Sequence, residues 1–231
     1  MGKDLIKPFT INFGLPNEYF KRQNSRACTM RHFIPHYLCY YCGGRRLLDP
    51  SYSHIGKTVS ELVERGAPNR DLLNIMLGAY NILIIPFAIG LFYGLKKGWT
   101  RNLVMIALVL TGILGAAVTV FFPLDAAGQS VTFTGMLHLV VVGLVVPCTF
   151  VFMLGFWHST RNDLGWGKLG LFSIAIFVVT LVSGIATAAF VNSKFRGLLE
   201  RITIGSTLIW IEVVALKLYS ITKSKFPTPA S

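Results

Sequence analysis

The sequence predicts an all-α fold, a polytopic membrane bundle with five visible transmembrane helices. Three observations lead there. The 231-residue chain is 53% hydrophobic and only 14% charged, where a soluble domain carries roughly a quarter charged residues. Its mean hydropathy is +0.58. Its apolar residues gather into five runs, each near the roughly 20 residues that a helix needs to cross a bilayer.

Those runs are Leu72–Leu95, Leu103–Phe122, Phe133–Trp157, Leu169–Val191 and Ile202–Ser220. In lipid the backbone must satisfy its own hydrogen bonds, so each run reads as a helix. None alternates polar and apolar residues as a barrel strand would. The joining stretches "KKGWTR", "PLDAAGQSVT", "HSTRNDLGWGK" and "NSKFRGLLER" are short, which favours antiparallel neighbours in one bundle spanning residues 72–220. Small residues at helical spacing (Gly90 and Gly94, Gly112 and Ala116, Gly184 and Ala188) permit close helix approach. Pro86 and Pro147 predict kinks in the first and third helices.

Basic residues set the expected orientation. Lys96, Lys97 and Arg101 follow the first run, and Arg161 and Lys168 follow the third. Lys217, Lys223 and Lys225 mark the end of the fifth run and the 221–231 tail. These regions are expected in the cytoplasm. The loop after the second run carries only Asp125 and is expected outside, in the cell membrane's outer leaflet region. Lys194, Arg196 and Arg201 after the fourth run break the rule, as outer anchors or as ligands for anions. The net charge of +12 fits anionic lipid head groups better than nucleic acid. Half of the cations precede Asp71 and the rest flank apolar runs.

Residues 51–71 form an expected interfacial segment. Thr58 and Glu61 have the spacing of a capping box, and Gly66 is a natural stop, so a short helix is expected over Thr58–Arg65. Asn69 and Asp71 suit the start of the first span. This capping account leaves His54 and Ser60 unexplained.

Four stretches carry a family resemblance: "YSHIGKTVSELVERGAPN", "FFPLDAAG", "TFTGMLHLVVVGLVVP" and "LLERITIGSTLIW". Through them residues 51–220 resemble an uncharacterised prokaryotic membrane family, domain of unknown function 998. The resemblance implies a six-helix bundle whose first helix precedes the "YSH" stretch. Here that first helix is missing, and residues 1–50 read as an atypical leader. The resemblance also implies a distant kinship with six-helix proteins of lipid or glycolipid-anchor handling. It brings no assigned chemistry.

The candidate site residues are His54, Ser60, Glu61, Asp125 and His138. Under the expected topology all lie in the outward half, with Thr134 on the face of His138 and with Thr203, Ser206 and Glu200 nearby. A titratable group within a membrane helix marks a functional-site hypothesis by default, although a histidine in a bundle also serves as a helix-to-helix hydrogen bond. His54, Asp125 and His138 are of the right type for a hydrolytic zinc site, and Ser60 with a histidine and an aspartate is of the right type for a nucleophilic one. No nucleophile-elbow motif accompanies Ser60. Lys194 and Arg196 are candidates for holding a lipid phosphate or for plain interfacial anchoring.

Asn74 and Asn81 share a helix face and are expected to hydrogen-bond across helices. Glu212 must face a partner, a cavity or the inner surface, and Lys217 is expected to snorkel. In the leader, Cys28, His32, His36, Cys39 and Cys42 have finger-like spacing but lack a second CxxC pair. No cofactor motif is present.

Membrane lipids are the expected partners. The functional readings are an outward polar pocket for lipid or small-ligand interaction, extending to lipid modification; a transporter or small-ligand binder; and a structural or assembly protein without catalysis.

Overall fold

The computed structural model describes residues 53–68, 70–126 and 128–225. The leader, Asn69 and the proposed Cys/His finger lie outside the described residues. Five long helices follow one another: α1 (Arg70–Gly94), α2 (Trp99–Phe121), α3 (Phe133–Thr160), α4 (Leu169–Ala189) and α5 (Arg196–Lys225). All five are long and apolar enough to cross a membrane. The described residues contain no strand. Pro86 and Pro147 lie inside α1 and α3.

The outer surface bears the mark of a lipid solvent. Ile75, Leu139 and Val182 are more than half exposed, as are many apolar neighbours. In water such a surface would be an aggregation site, whereas hydrocarbon removes that penalty. Neighbours in sequence are neighbours in space, with α2 packing most extensively against α1 and α3. Close approach of α1 and α2 is made at Gly112 and Gly115, where an added Cβ would overlap Asn81. Asn81 itself donates to Leu77 O in its own helix at 2.9 Å. The expected cross-helix bond from Asn81 is therefore replaced by close packing.

The dense core sits toward the end that carries the α1–α2 and α3–α4 loops. Trp210 is fully buried, 4.9 Å from the Phe152 ring and 5.3 Å from the Phe156 ring. Phe156 in turn meets Trp166 of the α3–α4 loop edge-on at 5.3 Å. Lys96 and Asp163 join those two loops at 3.4 Å. Further along, α4 and α5 share a seam of hydroxyls. Thr203 donates to Ser183 at 2.8 Å, and Thr180 pairs with Ser206 at 2.8 Å. Trp210 Nε1 donates to Ser173 Oγ at 2.7 Å, and Ser173 passes its own proton to Met153 O of α3. Thr203 and Ser206, expected to line an outer site, are thus spent on helix association. Glu212 forms no ion pair among the described residues.

The opposite end is closed by residues 53–68, a strap laid across the helix ends. Its Thr58–Glu61 bonds are those of a capping box: Thr58 N donates to Glu61 Oε2 at 2.6 Å and Glu61 N to Thr58 Oγ1 at 3.2 Å. The expected helix over 58–65 is only a single 3₁₀ turn, Ser60–Leu62. The cause lies in tertiary bonds that pull the strap two ways. Arg65 N donates to Leu124 O at 2.9 Å, and Leu198 N donates to Ile55 O at 3.0 Å. Gly66, at φ 80°, turns the strap toward α1.

Candidate binding site

The strap answers why so many polar groups precede the first span. Glu61 forms an ion pair with Arg196 at the start of α5. Glu200, one turn on, accepts from Val59 N and, at 3.2 Å, from Ser60 Oγ. Arg201 Nη1 donates to the carbonyls of His54 (2.7 Å) and Lys57 (2.6 Å). Gly197 has no side chain because the Lys57 carbonyl occupies that space. These bonds extend α5 back to Arg196, six residues ahead of its expected start, because its polar first turns are satisfied by the strap rather than by water.

The α2–α3 loop is fastened by Asp125. Thr132 gives it two bonds, from N at 2.7 Å and from Oγ1 at 2.8 Å, and Arg65 approaches at 3.4 Å. These contacts hold the Asp125 carboxyl below its ordinary 3.8, with the Thr132 backbone bond the largest cause and partial burial opposing it. Thr132 also caps α3 by accepting from Gly135 N at 3.1 Å. A Cβ on Gly135 would overlap the Asp125 carboxylate. Thr134 accepts from Arg65 rather than joining His138.

Under the strap lies a partly open cavity of about 80 Å³. The strap contributes Val59, Ser60 and Val63; α1 contributes Asn74 and Leu77; α2 and its loop contribute Val118, Thr119, Phe122, Pro123 and Leu124; α3 contributes His138 and Val142. His138 is only 3% exposed, and its Nδ1 lies 2.7 Å from Phe122 O. Asn74 Oδ1 is buried without a hydrogen-bond partner.

Of the five sequence-derived candidates, the structure brings Ser60 and His138 to one cavity. His54, Glu61 and Asp125 fall outside its lining. His54 and Glu61 face α5 through the strap, and Asp125 locks a loop. The zinc grouping of His54, Asp125 and His138 does not assemble: among the described residues no three His, Cys, Asp or Glu side chains gather as a metal site. Neither does a serine–histidine pair, since Ser60 Oγ donates its hydrogen bond to Glu200 and His138 Nδ1 bonds the Phe122 carbonyl. Arg196 is committed to Glu61, which leaves Lys194, stacked 5.3 Å from the Phe195 ring, as the freer of the two proposed phosphate anchors.

The sequence placed Glu200 near the outer site without a role, while Thr119 and the place of Asn74 in a cavity did not stand out in it. Glu200 was legible as a carboxylate entering an apolar run. A polar residue inside a helix does not announce which neighbour it lacks.

Five antiparallel apolar helices, with a polar strap over one end and a small mixed cavity beneath it, define a multi-pass helical membrane protein. Residues 45–217 match the model of the family described as "Protein of unknown function (DUF998)", and the chain belongs to that family. Searches of curated proteins and of solved structures give no match. All four stretches that carry the resemblance contribute to the strap-side end described above.

Proposed function

We propose that this protein binds an amphiphilic lipid or small ligand, with the polar end seated beneath the strap and the apolar part along the helices. The carrying observation is the cavity itself. Its walls are mostly apolar, and the polar residues Asn74, Ser60, Thr119 and His138 are among those that line it, the mixed lining expected of a ligand site. It stands at one end of the membrane-crossing helices, where a lipid's head and tail part company.

Binding is favoured over lipid turnover. The two groups best suited to nucleophilic chemistry, Ser60 and His138, are each bonded elsewhere, to Glu200 and to Phe122 O. We further propose that this end faces outward in the cell membrane. The opposite end carries Lys96, Lys97, Arg161 and Lys168 in its loops and Arg101 in the first turn of α2. At the strap end Arg65, Arg196 and Arg201 are engaged with carboxylates and carbonyls.

The test is lipid analysis of the purified full chain beside Val118→Phe, which fills the cavity without touching the strap's polar bonds. Wild type should retain bound lipid through extensive washing, and Val118→Phe should lose most of it. Equal retention by both proteins would end the binding reading. Reporter fusions at Gln129 and Lys97 should report opposite sides, with Gln129 outside.

A further inference from the structure

Three polar groups of the cavity, His138, Ser60 and Thr119, have already spent their hydrogens. A carbonyl oxygen can only accept, so the 2.7 Å contact of His138 Nδ1 with Phe122 O places the ring proton on Nδ1. The neutral ring then presents Nε2 as a lone pair, and Nε2 has no partner among the described residues. Ser60 Oγ donates to Glu200 Oε1 at 3.2 Å. Thr119 Oγ1 donates to Gly115 O at 2.7 Å. Each hydroxyl keeps only lone pairs for a ligand. Asn74 Oδ1 adds a buried acceptor with no hydrogen-bond partner among the described residues. An unpaired buried acceptor costs about 1–3 kcal/mol, so a bound donor recovers a penalty already present in the fold.

The described lining contains no Lys, Arg, Asp or Glu. A charged head group would therefore enter without a counter-charge, at a high desolvation cost. The remaining chemistry is a neutral hydroxyl, which donates to these acceptors and accepts from the Asn74 amide nitrogen.

We propose that the cavity recognises a lipid alcohol, an amphiphile whose polar end is a free, uncharged hydroxyl such as that of diacylglycerol. The inference rests on the binding reading above and names the ligand class for the same cavity. The hydroxyl donates into the cluster formed by His138 Nε2, Asn74 Oδ1 and the two side-chain hydroxyl oxygens. The acyl chains leave past Val118 and Val142 toward the hydrocarbon. No bond is made or broken.

The test uses the full chain in nanodiscs doped equally with diacylglycerol, phosphatidic acid and phosphatidylethanolamine of identical acyl chains. Bound lipid is read by native mass spectrometry. Wild type should retain diacylglycerol over each of the others by about tenfold, the scale of one satisfied hydrogen bond. Asn74→Leu should reduce that preference to roughly twofold or less by the same arithmetic. Because Asn74 makes no hydrogen bond among the described residues, this variant should be no less heat-stable than wild type, which separates a binding role from a structural one. Retention of phosphatidic acid or phosphatidylethanolamine at or above diacylglycerol, with loss of lipid in Val118→Phe, overturns the alcohol inference and leaves the binding reading standing. An undiminished preference in Asn74→Leu likewise overturns it. Equal retention of all lipids by wild type and Val118→Phe overturns both.

Discussion

His138 Nδ1 lies 2.7 Å from the carbonyl oxygen of Phe122, so a side chain in the second turn of α3 closes the C-terminal end of α2. Phe122 follows the last residue of α2, where carbonyls lack helical partners. His138→Ala strips that carbonyl of its donor and enlarges the cavity. A loss of about 2–3 kcal/mol is expected, read as lower thermal stability in detergent. His138→Asn, whose amide nitrogen stands near the place of Nδ1, should recover part of it. An unchanged melting temperature in His138→Ala would remove the bond from any structural account.

The Glu61–Arg196 pair joins the strap to α5, with side chains 11% and 33% exposed. Exposed pairs couple by about 0.2–1 kcal/mol. This one is partly screened from water, and Glu61 is also held by Thr58. A double-mutant cycle with Glu61→Gln and Arg196→Met should give a coupling of about 1–2 kcal/mol. A value near zero would mean that the strap is held by its backbone bonds and by Glu200, Arg201 and Arg65.

Asp125 makes the α2–α3 loop sensitive to strong acid and to nothing milder. Its carboxyl is held below 3.8 by the Thr132 bonds and by Arg65. A lowered value in the folded state means that the anion favours folding. The contribution is complete above 3.8 and disappears as pH falls through the lower, folded value. The stability gap between wild type and Asp125→Asn should therefore be constant through neutral and mildly acid pH, then close below 3.8. A gap that closes near neutrality would contradict this arrangement. Gly135→Ala should destabilise at every pH, by about 1–3 kcal/mol, because its new methyl meets the carboxylate.

The hydroxyl seam of α4 and α5 is unevenly weighted. Thr203→Val breaks one hydroxyl pair, and about 0.6 kcal/mol is the usual scale for such bonds in membranes. Ser173→Ala leaves the buried Trp210 Nε1 without an acceptor and removes the cross-helix bond to Met153 O. Its cost should be larger, about 1–3 kcal/mol. Unfolding of the two variants in the same detergent decides the order, and a reversed order would show that Trp210 finds another acceptor.

The spans were legible because hydrocarbon imposes one demand, unbroken apolar length, which a sequence displays openly. Their ends were less so. α5 begins at Arg196 instead of Ile202, since Glu200 and Arg201 are satisfied by a strap 140 residues away in the chain. The Thr58–Glu61 bonds followed from local spacing, yet the helix they suggested shrank to a turn under long-range pull. For the site, His138 and Ser60 were visible as polar groups in or beside apolar runs. Their meeting was not, because it depends on helix rotation, which apolar faces in lipid barely constrain. Asn74 was read as a helix-to-helix bond, and only the packed structure shows its oxygen left over.

The strap has a consequence for biogenesis. It is synthesised before the first span, but its bonds run to Leu124 and to Arg196, Glu200 and Arg201 in the last. Until the final helix leaves the ribosome and enters the bilayer, nothing on that side holds the roof down. The nascent chain thus passes through an interval in which the future cavity lies uncovered among membrane constituents, and an occupant can be enclosed by completion of the protein itself.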